Sequence, residues 1–361
     1  MRAFAEMSSI RPRVHGGSCE DELAALGIAG ESIVDFSTCL NPYGPCAAVV
    51  AAVRAAPIDR YPDPTARKVR RVLAEILDVD PDTLVLGNGA ADLLWTIARV
   101  LLAPRDVVVI VEPTFSEFRA AAEAAGGRVV ELRSNAVDGF QVDLAKLRIL
   151  LRTVRPRVVY LCAPNNPTGM AVPATEVAAV AAEHPDVRIV LDQAFLALSE
   201  GFGELTVRFP PNVLCVRSLT KDHAIPGVRV GYLLCVGDIA ARVEAGRPSW
   251  TTSTMAQAAA LAACTSRQMV DETRPRLLGD RVHLETIVRR RGLHPLPSVT
   301  PFFLVRVPDS GDLGRRLLTR HQVLVRDCAS FGLPGFIRLS ARPPAEVARL
   351  DAALAEELSP C

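Results

Sequence analysis

The nine cysteines include no pair at CxxC spacing. Cys19, Cys39, Cys46, Cys162, Cys215, Cys235, Cys264, Cys328 and Cys361 are odd in number and scattered along 361 residues, which speaks against a disulfide framework and suits a reducing, cytoplasmic setting. The six histidines contain no HExxH pair, so no catalytic metal is expected. Charge of either sign is massed nowhere: 41 Lys and Arg stand against 40 Asp and Glu, for a formal net charge of +1. Without a basic stripe or an acidic block, neither nucleic acid nor a membrane surface is expected as a partner. No charged-then-apolar leader is read at the start, and no uninterrupted apolar run is long enough to span a bilayer. These exclusions leave small-molecule chemistry, on a chain long enough for two domains of about 100–200 residues each.

What the sequence does have is one lysine set between two apolar runs. Residues 213–216 and 228–234 read as buried strands, so Ser218 to Gly227 form a loop between them. A lysine held there loses hydration, and its amine can be presented neutral, able to form a Schiff base with an aldehyde. Most lysines are solvated surface charges. Lys221 therefore gains weight from its surroundings, Ser218 three residues before it and Arg229 eight residues after.

Taken in order, residues 1–30 read as an arm, with His15-Gly-Gly17 as a polar turn and a short helical pattern over 20–26. His15 by itself reads equally as a surface or capping histidine. Asp35-Phe-Ser-Thr-Cys-Leu-Asn41-Pro-Tyr43-Gly44-Pro45 and Arg60-Tyr61-Pro-Asp-Pro64 are rigid loops rich in proline. Tyr61 alone would be a packed aromatic. A strand at 84–87 leads through Asn88-Gly89-Ala90 into a helix, a start whose backbone N–H groups attract phosphate. Strands at 107–111, 157–162 and 187–191 run into Phe115, Asn166 and Asp192 respectively. Alternation with helical segments such as 175–183 argues for a parallel sheet covered on both faces. The loops carrying Gly89, Phe115, Asn166, Asp192 and Lys221 then gather where the strands end. Beyond 236 a long helical stretch over 254–288 and apolar runs at 302–307, 323–326 and 336–340 read as a smaller α+β domain. Arg326 and Arg338 lie within short apolar strands, where a charge is costly unless a salt bridge or an anionic ligand meets it.

Ser218-Leu-Thr-Lys221 followed by Pro226-Gly-Val-Arg229-Val-Gly, with the other motifs spread over nearly the whole chain, resembles the aminotransferase class I/II family of fold-type I pyridoxal-phosphate (PLP) enzymes. The resemblance implies an aspartate-aminotransferase-like α/β fold: an N-terminal arm (1–44) contributing to the small domain and to dimer contacts, a large PLP-binding domain with a mostly parallel sheet (45–236), and a small C-terminal α+β domain (237–361). It implies pyridoxal 5'-phosphate on Lys221, Asp192 at the pyridine nitrogen, Asn166 at the ring hydroxyl, and Phe115 stacked on the ring. Gly89, Ala90, Ser218 and Arg229 would hold the phosphate, a guanidinium forming paired charge-assisted bonds to it. Tyr61 would reach the cofactor phosphate of a neighbouring subunit in a homodimer, and His15, Asn41, Arg326 and Arg338 would face an amino acid or amino phosphate substrate.

Within the family, His15-Gly-Gly17, Asp35-Phe-Ser37, Pro113-Thr-Phe115, Phe195 after Asp192-Gln-Ala, and Val325-Arg-Asp-Cys328 are similar to the threonine-phosphate decarboxylases. Ser18, Cys39 and Tyr43 depart from them. The expectation is decarboxylation of a phosphorylated amino acid first, histidinol-phosphate-type transamination second, with elimination, cyclisation or oxidation by a specialised-metabolism enzyme as a further alternative. A catalytically silent PLP-fold regulator is the non-enzyme alternative, disfavoured because Lys221, Asp192 and Asn166 are all present.

Overall fold

The computed structural model describes residues 16, 17, 20–203 and 208–358, so His15 and Ser18 lie outside the described residues. The arm runs through a short helix, Glu20–Ala25, to β1 (Val34–Asp35). Seven strands follow: β2 (Leu84–Gly87), β3 (Val107–Glu112), β4 (Arg128–Arg133), β5 (Val158–Cys162), β6 (Arg188–Asp192), β7 (Val213–Ser218) and β8 (Gly231–Leu234). They form one sheet in the order β2-β8-β7-β6-β5-β3-β4. All neighbouring pairs are parallel except the two made by β8, which is antiparallel to β2 and β7.

Every residue of β5 is buried, as are all but one in each of β3, β6 and β7. Parallel strands covered on both faces need such continuous apolar runs. One face packs under helices Ala90–Leu101 and Glu117–Ala124 around Leu93, Ile97 and Phe118, the other under Leu144–Val154 and Ala174–Glu183 around Leu147 and Val177. The strand expected over 228–234 begins only at Gly231, because Arg229 takes φ 60° and breaks extension before it.

The smaller sheet holds β9 (Phe302–Arg306), β11 (Arg326–Asp327) and β12 (Phe336–Ser340) in antiparallel order β11-β12-β9, while β10 (Val323–Leu324) pairs with β1 of the arm. The single run read at 323–326 thus serves two sheets. Val34 and Phe36 join the apolar cluster of the smaller unit, with Leu284, Val305 and Ile337.

The long helical stretch is two helices, Thr254–Thr265 and Arg267–Arg290, broken at Ser266. The first is alanine-rich and packs on Val49, Val69 and Leu73 beside β2 and β8, and helix Gly237–Ala245 packs through Ile239 and Val243 into the core of the large sheet. The change of pattern at 236 therefore marks the end of the large sheet, whereas the packing of the smaller unit takes up only with the second long helix. Among the described residues no helix is long and apolar enough to cross a membrane.

Candidate active site

β6 and β7 end side by side and deliver the two groups on which the site turns. Asp192 closes β6 and is 2% exposed. One carboxylate oxygen accepts from the Tyr160 hydroxyl at 2.9 Å and the other from the Ala194 N–H at 3.0 Å. Burial raises its pKa, while those hydrogen bonds and the Lys221 charge pull it back. Lys221 follows β7, its Nζ 3.4 Å from Thr220 Oγ1 and 5.9 Å from the Phe195 ring centroid. Burial lowers its pKa; Asp192 opposes the shift and Arg229 adds to it. An amine so placed is more readily neutral than a surface lysine, with an acid-holding carboxylate in electrostatic reach.

Beside them a helix start, two hydroxyls and a guanidinium come together. Gly89 precedes helix Ala90–Leu101 at φ 86°, with no side chain capping the helix start. A Cβ on Gly89 would stand 2.8 Å from the Arg229 Nη2, so glycine is required by space as well as by backbone angle. Gly231 is needed likewise, since a Cβ there would meet Arg217 O at 2.7 Å and Ala90 N at 2.9 Å. Ser218 Oγ and Thr220 Oγ1 share a hydrogen bond of 2.6 Å, and Arg229 Nη1 donates to Pro226 O at 2.9 Å. Helix dipole, free N–H groups, hydroxyls and guanidinium all favour negative charge at this point. Phe115, in the loop after β3, is partly buried against the same core cluster as Ala90.

The third part comes from the smaller sheet. Arg326 on β11 and Arg338 on β12 are register partners, 5% and 4% exposed. Arg338 Nη2 donates to Ser37 O at 2.5 Å, Nη1 donates to Asn166 Oδ1, and the guanidinium lies 5.2 Å from the Phe302 ring centroid. Its Nε is buried with no partner, and Arg338 makes no ion pair among the described residues. Arg326 donates to Ser330 Oγ at 2.7 Å and stands over Phe331; burial and the Arg338 charge push its pKa down. For Arg338 a structural salt bridge is therefore excluded among the described residues. Arg338, a buried charge with no ion pair among the described residues, is the one of the two placed to meet an anion.

Two further expected site residues, Asn41 beside the lysine loop and Tyr61 at the surface, make contacts of their own within the chain. Asn41 is 1% exposed, and both its amide hydrogens are committed, to Asp222 O at 3.0 Å and Thr273 Oγ1 at 2.8 Å. In this structure both amide hydrogens go to groups of the protein itself. Tyr61 is 76% exposed and stacks on Trp250 with centroids 4.4 Å apart, away from the site of its own chain.

Sequence reasoning missed Tyr160, Thr220 and Ser37, and treated Cys39 only as a departure. Tyr160 had a signal: it carries a hydroxyl inside the otherwise apolar strand Val-Val-Tyr-Leu-Cys. Cys39 is buried with Phe195 and Phe302, forming an apolar wall between Lys221 and Arg338.

The fold and this constellation define a class that comparison with known proteins bears out. A family model described as aminotransferase class I and II matches residues 31–354, and the chain belongs to that family. Its fold is aspartate-aminotransferase-like. Histidinol-phosphate aminotransferase 2 of Ralstonia nicotianae is 33% identical over 363 residues, covering 96% of each protein. Among solved structures, the histidinol-phosphate aminotransferase of Sinorhizobium meliloti in complex with pyridoxal-5'-phosphate superposes with a TM-score of 0.86 at 27% identity, covering 99% of this chain and 98% of that one. The L-threonine-O-3-phosphate decarboxylase of Porphyromonas gingivalis superposes at 0.74 with 26% identity, covering 86% and 94%. The order expected from the motifs is thereby reversed: similarity favours the transaminase over the decarboxylase.

Proposed function

We propose that the chain is a pyridoxal-phosphate aminotransferase that takes the amino group of an amino phosphate of the histidinol-phosphate kind. The observation that carries this reading is the buried pair Arg326 and Arg338, facing each other in register beside Asn166. A phosphate dianion matches two guanidiniums better than a single carboxylate does.

The residues present fit the cofactor. The space that a Cβ on Gly89 would fill beside Arg229, and the uncapped helix start at Ala90, suit its phosphate. Ser218 would add a hydroxyl, Asn166 would meet the ring hydroxyl, and Phe115 would stack on the ring. Bound, the cofactor supplies an electron sink for the bond broken at the substrate carbon. Asp192 would keep the ring nitrogen protonated, and Tyr160 and the Ala194 N–H hold its carboxylate for that task. Lys221 would carry the proton to and from the substrate carbon. With the phosphate fixed by the arginines and no carboxylate on the reacting carbon, a C–H bond is the one left to face Lys221.

A second subunit completes the site in this reading. Ile58, Tyr61, Trp250 and Met255 form exposed apolar surface, with Thr254 Oγ1 tied to Pro57 O at 2.6 Å. Exposed apolar groups so gathered suit burial in a homodimer, where Tyr61 would enter the neighbour's phosphate cradle.

Decarboxylation of an amino-acid phosphate is the second reading, favoured by the apolar wall of Cys39, Phe195 and Phe302, which would destabilise a carboxylate pressed against it. One comparison separates the two. Histidinol phosphate with 2-oxoglutarate should yield glutamate, and L-threonine phosphate alone should release no CO₂. Release of CO₂ without a keto acid, and no glutamate from histidinol phosphate, would reverse the assignment.

A further inference from the structure

We infer that Asn41 is a positioning residue for Lys221, setting the reactive amine from the arm and from the long helix of the smaller unit. The inference rests on the reading of Lys221 as the cofactor-bearing amine. Asn41 holds two consecutive carbonyls of the lysine loop: its backbone N–H donates to Lys221 O at 2.9 Å, and its side-chain amide donates to Asp222 O at 3.0 Å. The second amide hydrogen goes to Thr273 Oγ1 at 2.8 Å, and Thr273 in turn donates to Met269 O at 2.7 Å, so donor and acceptor roles are consistent along the chain of bonds. The amide oxygen accepts from Tyr43 N–H at 3.1 Å.

Tyr43 continues the attachment. Its hydroxyl bonds to Asp280, and Arg276 stacks on its ring at 3.9 Å. Thr273, Arg276 and Asp280 recur at the spacing of one helix face, so the arm lies along a single stripe of helix Arg267–Arg290 while gripping the lysine loop with its other side. At 1% exposure Asn41 offers no amide hydrogen to a substrate. What it controls is the backbone from which Lys221 projects, and misplacement by a fraction of an ångström is enough to slow a reaction that depends on alignment.

The test uses the holoenzyme, with the pH titration of the lysine-bound cofactor's absorbance as a readout that simple loss of stability leaves in place. Asn41→Ala and Thr273→Val should each lower kcat by about tenfold or more, with KM for the amino donor within about twofold. Both should raise the pH midpoint of the absorbance change, because a loosened loop admits water and favours the protonated form. Thr273→Ser, which keeps the hydroxyl, should behave as the parent. A rise in KM with kcat and midpoint unchanged would make Asn41 a substrate contact and overturn the inference, as would a lower melting temperature with kcat and midpoint intact. Where Asn41→Ala does not fold, the Thr273→Val and Thr273→Ser pair decides. An unaltered enzyme with no cofactor band lost in Lys221→Ala would instead sink the reading of Lys221 itself.

Discussion

The rim of the large sheet and the face of the small one handle buried polarity in opposite ways. At the rim Asp192 receives two hydrogen bonds and Ser218 shares one with Thr220. On the small sheet two guanidiniums stand in register, and Arg338 keeps a buried Nε with no partner. The first region spends its polar groups on one another, while in the second Arg338 keeps a buried donor that, in the proposed reading, an anionic substrate meets. In the proposed reading the large sheet carries the chemistry and the small one the substrate's charge, and substitutions should separate them.

The largest effect is expected at the rim. Lys221→Ala should lose the absorbance of lysine-bound cofactor and at least about 10²–10⁴ in turnover, read by spectrum and steady-state rate; retention of both would place the reactive amine elsewhere. On the small sheet, Arg338→Leu should leave that absorbance in place and cut kcat/KM for the amino phosphate by about 10–100-fold, the size of a lost bond to a charged group. Arg326→Met sharpens the contrast further. It removes one of the two neighbouring guanidiniums, so inorganic phosphate should raise the melting temperature of the parent more than that of the variant. Equal protection of both by phosphate would show that Arg326 does not meet the anion.

The smallest expected effect concerns Asp222, next to Lys221 and 7% exposed. Burial pushes its carboxyl up to about 7 against the pull of Lys221 and Arg267. A carboxyl raised in the folded state contributes stability below its unfolded value near 3.8, and that stability is lost as pH rises towards 7. Asp222→Asn should therefore gain more in melting temperature at pH 8 than at pH 4; an equal gain at both would refute the ionisation.

The large-sheet half of this was legible in the sequence because it is local. Continuous apolar runs ending in Asp192, Asn166 or Ser218 give both the strand and the point at which the chain leaves it, and Gly89 marks the helix start. What was not legible depends on pairing across long distances. Nothing near Arg326 tells that its register partner is Arg338, since antiparallel alignment is set by tertiary packing. The family resemblance places Asn41 at the substrate, since its loop by itself reads only as rigid, and only the fold shows its amide turned to Thr273. The long helical stretch hid a break because Ser266 carries no glycine or proline signal, while Pro275 sits inside the second helix without ending it. The choice between decarboxylation and transamination rested on small motif differences around Phe195 and Cys39, which report on one wall of the cleft and leave the leaving bond undetermined.

The bonds from Asn41 to Asp222 and Thr273 span 181 and 232 positions of the chain. Loops of that length close late, since their entropy must be met before the contact rewards it. The core around β5 and β6 can form from nearer neighbours, but the reactive amine is not set until the arm has found both the lysine loop and the long helix. Cofactor capture should then lag behind sheet formation in refolding, followed as cofactor absorbance against far-ultraviolet circular dichroism; simultaneous traces would contradict this order. In the proposed reading, the arrangement makes catalytic competence a final checkpoint of assembly, so that a partly folded chain carries an ordinary lysine in place of an armed one.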